Sequence, residues 1–180
     1  IRALADTLRN LPADVSELAD VLVEMGLELR AHGHREESVR LLEEALHWAE
    51  ATPGIQPFTL AEIHYFLGHF EEALQILEGL ANGDPSAPHL GYLSLTLAGL
   101  GRPAEADSVM ARVEREFDAV RYPVLLAARR GDVRGVVTHL QAAFDAGEVD
   151  LETYLQLHRD PELEPARDQP LFRTLMRPTG

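Results

Sequence analysis

Gly33, Gly68, Gly101 and Gly131 recur at steps of 35, 33 and 30 residues. A period that regular marks an array of similar units, and it constrains the fold more than any single side chain. The first three glycines open the same grammar: Gly, three variable positions, Glu, then a small residue. It reads Gly33-His34-Arg35-Glu36-Glu37-Ser38, Gly68-His69-Phe70-Glu71-Glu72-Ala73 and Gly101-Arg102-Pro103-Ala104-Glu105-Ala106. Gly131-Asp132-Val133-Arg134-Gly135-Val136 keeps only the outline. The spacing predicts helical hairpins, each hinged at one of these glycines and stacked on the next, an architecture whose usual work is to hold a partner.

At 180 residues and 46% hydrophobic the chain has enough apolar content for one continuous core, and one domain is the expectation. Aromatics are only 6%, so that core must be built from Leu, Ala and Val, which suits closely packed helices. There is no cysteine, which excludes disulfides and thiolate metal sites. All 16 basic residues are arginine, read here as the mark of a GC-rich genome. A net charge of −14 argues against nucleic acid and against anionic membranes, and favours a basic or neutral partner. No apolar run approaches the length of a membrane span and no secretory leader is visible, so a cytoplasmic location is expected. The chain starts at Ile1 rather than Met, which reads as a fragment or a processed form.

Helical periodicity and turn residues divide the chain into an N-terminal helix or cap over 1–13, hairpins over 14–53, 54–85, 86–117 and 118–147, and a C-terminal cap over 148–180. Ser16 is placed as an N-cap, followed by an apolar stripe of Leu18, Val21, Leu22, Met25 and Leu29. The next helix runs from about Arg35 to Ala51, with Val39, Leu42, Leu46 and Ala49 on one side. Later hairpins pair Phe58–Leu67 with Glu71–Leu80, Pro88–Leu100 with Ala104–Phe117, and Tyr122–Arg130 with Val133–Ala146. In the third, Leu90, Leu93, Leu97 and Leu100 supply the seam. Asp150 caps a helix to about His158, and Asp168–Met176 reads as a turn-rich helical stretch. Strand alternation is absent, so the fold class is all-α.

These positions resemble the tetratricopeptide repeat, in which small residues let two helices approach while large ones fill the space opposite. Gly26, Gly33, Ser38, Leu42 and Ala45 fit its pattern in the first repeat. Ala61, Gly68, Ala73, Leu77 and Pro85 fit in the second, and Ser94, Gly101, Ala106 and Met110 in the third. Gly131, Leu140 and Ala143 remain in the fourth. The family's Trp near the start of the first helix is missing from every repeat. The run from Asp160-Pro161-Glu162-Leu163 to Pro170-Leu171-Phe172-Arg173-Thr174-Leu175 is similar to the closing segment of bacterial repeat arrays attached to kinases, cyclases or transcription regulators. It reads as a cap whose Leu163, Leu171, Phe172 and Leu175 cover the last hairpin.

The resemblance implies a right-handed superhelix of about four degenerate hairpins with terminal capping helices. It also implies a concave groove lined by the first helix of each pair. Val23, Leu27 and Arg30 would face it from the first repeat, Glu62, Tyr65 and Phe66 from the second, Leu95 from the third, and Arg121, Leu125 and Arg129 from the fourth. Exposed aromatics beside arginines are the composition of a binding hot spot. A clamp for a C-terminal carboxylate is not expected, because Val23 and Leu27 stand where it would begin and lysine is absent.

No catalytic, cofactor or metal site is expected. The eight histidines, His32, His34, His64 and His69 among them, read as solvated turn residues without the three or four convergent ligands of a zinc site. Ser16, Ser38, Ser94 and Ser108 lack a neighbouring His–Asp arrangement. Gly131-Asp132-Val133-Arg134-Gly135 lacks the Lys-Ser/Thr of a phosphate-cradling loop. The sequence therefore reads as a non-enzymatic scaffold for a protein or peptide partner, part of a larger bacterial regulator. A homo-oligomerisation module, with a homodimer as the product, and a small-ligand sensor domain of a regulatory enzyme are the alternatives.

Overall fold

One backbone device is repeated along the chain. In the computed structural model, which describes residues 15–117 and 119–177, Gly33, Gly68, Gly101, Gly131 and Gly147 all have φ between 71° and 84°. Each ends a helix with the same two bonds. At Gly33 its own N–H reaches the Arg30 carbonyl at 3.0 Å, and the His34 N–H reaches the Leu29 carbonyl at 2.9 Å. Gly68 and His69, Gly101 and Arg102, Gly131 and Asp132, and Gly147 and Glu148 repeat the arrangement. This is the Schellman ending, which satisfies orphan carbonyls and needs a left-handed residue that glycine supplies without a Cβ clash. At the first four turns the residue after glycine accepts the first bond of the next helix: Ser38 bonds back to His34, Ala73 to His69, Ala106 to Arg102 and Val136 to Asp132. No residue is spent on a loop, so each pair of helices must fold back on itself.

The described residues are helical throughout, with no strand. The helices are α1 (Val15–Ala31), α2 (Arg35–Ala51), α3 (Pro57–Leu67), α4 (Phe70–Asn82), α5 (Ala87–Gly99), α6 (Pro103–Glu116), α7 (Arg121–Arg129), α8 (Val133–Ala146), α9 (Leu151–Arg159) and α10 (Pro170–Leu175). A 3-10 helix over Pro161–Ala166 precedes α10. The residues form two compact units that divide between Ile76 and Leu77, inside α4. No helix among the described residues is long and apolar enough to cross a membrane.

In the first unit α1 packs on α2, and α3 packs on both. The α1–α2 approach is close: a Cβ at Gly26 would stand 3.3 Å from the Leu42 side chain and 3.4 Å from the Ser38 carbonyl. The buried face of α2 is Ser38, Leu42, Ala45 and Ala49, a run at helical spacing. Val39, expected on that face, is 43% exposed because the small Ser38 takes the contact position. Val21 of the α1 stripe is also exposed, while Leu18, Leu22 and Leu29 are buried. Ser16 lies inside α1, one residue past Val15, rather than ahead of its first turn. The N-terminal helix expected over 1–13 lies outside the described residues.

In the second unit α5 packs on α6 and α7, α7 on α6 and α8, and the 3-10 helix on α7 and α8. Every residue of α5 from Leu90 to Leu97 is buried, as is Val124–Ala128 of α7. A helix apolar on all sides belongs inside. By contrast α6 and α8 bury one face each, through Ala106, Met110 and Val113 and through Val136, Leu140 and Ala143. Ser94 is tolerated in the interior because its hydroxyl donates to the Ala106 carbonyl at 2.8 Å. The expectation of a single leucine seam in α5 thus understates its burial. Leu100, the last residue of that seam, is only half-buried and lies beyond the helix.

Candidate functional site

Six of the ten residues projected onto a groove are interior. Val23, Leu27, Tyr65, Phe66, Leu95 and Leu125 are at most 8% exposed, so they reach no partner without opening the core. Tyr65 packs edge-on against Phe66, with ring centroids 5.3 Å apart, and lies 5.8 Å from Phe70. Their size and apolar area serve packing rather than display. Arg30 and Glu62 are half-buried on α1 and α3.

Arg121, Leu125 and Arg129 share one face of α7, as their spacing of four requires, but the chain's own tail covers that face. Arg121 donates to the Asp160 carboxylate at 3.0 Å, to the Tyr92 hydroxyl at 3.0 Å and to Gln156 at 3.1 Å. Its guanidinium also lies 5.7 Å from the ring centres of both Tyr92 and Tyr122. Burial works against its positive charge, yet Tyr92, Asp160 and Tyr122 outweigh burial and hold its pKa above the ordinary value. Arg129 pairs with Glu162 at 3.1 Å. Between these anchors Leu163 and Leu125 are fully buried, and the 3-10 helix lies on α7. The tail therefore caps the second unit, with Leu163 and Phe172 inside. Leu171, expected to help cover the hairpin, is 64% exposed.

What α7 leaves accessible lies elsewhere, in a cleft between α6, α7 and α8. Its volume is about 210 Å³, and Asp107, Met110, Ala111, Glu114, Pro123, Leu126, Ala127, Arg130, Asp132 and His139 line it. Met110, Leu126 and Ala127 form an apolar floor, almost fully buried, while the charged side chains stand exposed at the rim. Arg130 is spanned to Asp107 at 2.6 Å. Asp132 caps α8 by accepting from the Gly135 N–H at 2.9 Å. The rim therefore carries three carboxylates, Asp107, Glu114 and Asp132, against the single guanidinium of Arg130. No local periodicity marks this cleft, because its residues come from three helices; only the acidic composition hinted at its charge.

The histidines differ from one another. His32 is a solvated turn residue, 2.9 Å from Glu28, as expected. His64 is only 8% exposed and faces His69, with their Nδ1 atoms 3.4 Å apart. Burial lowers its pKa, His69 lowers it further, and Glu72 and Glu50 act in the opposite sense. Among the described residues no three His, Cys, Asp or Glu side chains converge as a metal cage. Ser38 and Ser94, considered as nucleophiles, are completely buried. Compared with protein-family models, curated proteins and solved structures, the chain matches none of them.

Proposed function

We propose that the chain is a non-enzymatic interaction module of the tetratricopeptide-like solenoid type, and that it holds a partner segment in the cleft between α6, α7 and α8. The observation that carries this is the cleft's composition: an apolar floor at Met110, Leu126 and Ala127 under a rim with three carboxylates and one guanidinium. Such a surface suits a segment that presents an apolar side chain flanked by arginine or lysine, since charge complementarity speeds encounter and fixes register. The repeated glycine turns support the solenoid reading, because each pairs two helices with the same geometry. As in the sequence reading, the module would serve a larger regulatory protein.

A small-ligand sensor is the weaker reading. Ligand pockets enclose roughly 300–1,000 Å³, and the cleft offers about 210 Å³. Self-association has a specific observation in its favour: Leu151 and Leu155 lie one turn apart on α9 and are 72% and 48% exposed. Light scattering after size exclusion separates it. A dimer abolished by the Leu151→Glu, Leu155→Glu double change would support that second reading.

Selection from phage-displayed nonapeptides tests the first. The expected winners pair a basic with an apolar residue, and Glu114→Arg, an exposed change at the rim, should weaken them at least about tenfold. Selected peptides that bind the Glu114→Arg chain as well as the parent would remove the cleft from the account.

A further inference from the structure

The turn at Gly68 brings two imidazoles face to face. His64 sits in the last turn of α3, and His69 immediately precedes α4. Their rings are 5.7 Å apart at the centroids and inclined by 48°, with the Nδ1 atoms separated by 3.4 Å. That is long for an N–H hydrogen bond, which spans about 2.7–3.2 Å. It is the spacing of two donors on one tetrahedral ion: with Zn–N bonds of about 2.0–2.1 Å, two ligating nitrogens stand about 3.3–3.4 Å apart. A square-planar ion with similar bonds asks for about 2.9 Å.

We propose that His64 and His69 chelate Zn²⁺ through their Nδ1 atoms across the Gly68 turn, with water in the remaining positions. The backbone fixes the turn that carries both ligands. The His69 N–H bonds the His64 carbonyl at 2.9 Å, and the Gly68 N–H bonds the Tyr65 carbonyl at 3.0 Å. Packing restrains the His64 ring, while His69 is exposed and gives the ion its route in. Glu72 on α4 and Glu50 on α2 lie near enough to act electrostatically on His64, and their charges favour a cation there. With only two protein ligands the site is open and its ion exchangeable, unlike the closed four-ligand cages of structural zinc. An ion bound there would brace the hinge between α3 and α4.

The test is calorimetric titration of the tag-free chain with zinc chloride, alongside imidazole NMR spectra. One ion per chain is expected, with the His64 and His69 ring signals shifting together. His69→Gln alters an exposed side chain, so the fold survives, and it should cost at least about tenfold in affinity. A His32→Gln, His34→Gln control should bind as the parent does. The proposal is overturned by absence of saturable binding at about 1 mM zinc, by unchanged affinity in His69→Gln, or by loss of binding in the control.

Discussion

Two helical glycines in this chain differ in what surrounds them, and the same substitution should move stability in opposite directions. Gly91 lies within α5, and a Cβ built there would overlap the Tyr122 ring, standing 2.5 Å from Cε1. Carbon atoms pack at about 3.5–4.0 Å, so the overlap is roughly 1 Å. Tyr122 has nowhere to retreat: it is 5% exposed, and its ring meets Tyr92 edge-on at 6.0 Å. Overpacking of this kind costs about 3 kcal/mol at the upper end of its usual range. Replacing a helical glycine by alanine returns about 1 kcal/mol. Gly91→Ala should therefore destabilise by about 2 kcal/mol, lowering the melting temperature by about 4–8 °C. Gly79, in α4, is exposed and has nothing within 4 Å of its would-be Cβ. Gly79→Ala feels only the helix-propensity term and should gain about 0.5–1 kcal/mol. Urea unfolding followed by circular dichroism reads both. A Gly91→Ala chain as stable as Gly79→Ala would refute the claim that Gly91 exists to admit Tyr122.

Other expectations follow from the turns and the tail. Gly68→Ala should cost about 1–2 kcal/mol by the same assay, purely from backbone strain at φ 81°, since no neighbour lies within 4 Å. Arg121→Ala would take the guanidinium from the Asp160 carboxylate, which is 1% exposed and keeps the Glu162 N–H at 3.0 Å, and should cost about 3–5 kcal/mol in urea unfolding. Arg102→Ala removes a shorter ion pair, to Glu105 at 2.6 Å, but an exposed one, and should leave the transition in place. Asp150 caps α9 by accepting from the Thr153 N–H at 2.7 Å, and that bond holds its pKa below the ordinary value. The unfolded chain therefore binds the proton more readily. The cap's contribution is full above the ordinary carboxylate pKa of about 3.9 and is lost as pH falls through the lower folded value. Acid titrations should show that loss in the parent and not in Asp150→Ala.

The hinges were legible because a left-handed helix ending selects glycine, and the selection is local. Helix limits were legible too: Arg35–Ala51 and Val133–Ala146 are found where periodicity and turn residues put them. On the buried face of α2 Leu42 and Ala49 are found as expected, but hydrophobicity favoured Val39 where close approach to Gly26 favours a small Ser38. The enclosure of α5 had a visible signal, the absence of any charged side chain from Ala87 to Gly99. A search for one apolar stripe passes over it. The groove residues came from a resemblance that presumes the first helices present a face to solvent, and here six of the ten, Val23, Leu27, Tyr65, Phe66, Leu95 and Leu125, are packed inward. The Arg121–Asp160 pair joins residues 39 positions apart and leaves no local pattern. The His64–Nδ1 geometry likewise depends on two ring orientations that spacing alone does not set.

The most direct test of the binding account is NMR mapping with one selected basic–apolar peptide on the isotope-labelled chain. The cleft reading predicts that shifts concentrate at Ala111, Glu114, Pro123, Arg130 and His139, and that Arg30 and Glu62 stay silent. Shifts centred on Arg30 and Glu62, with the cleft unmoved, would contradict it.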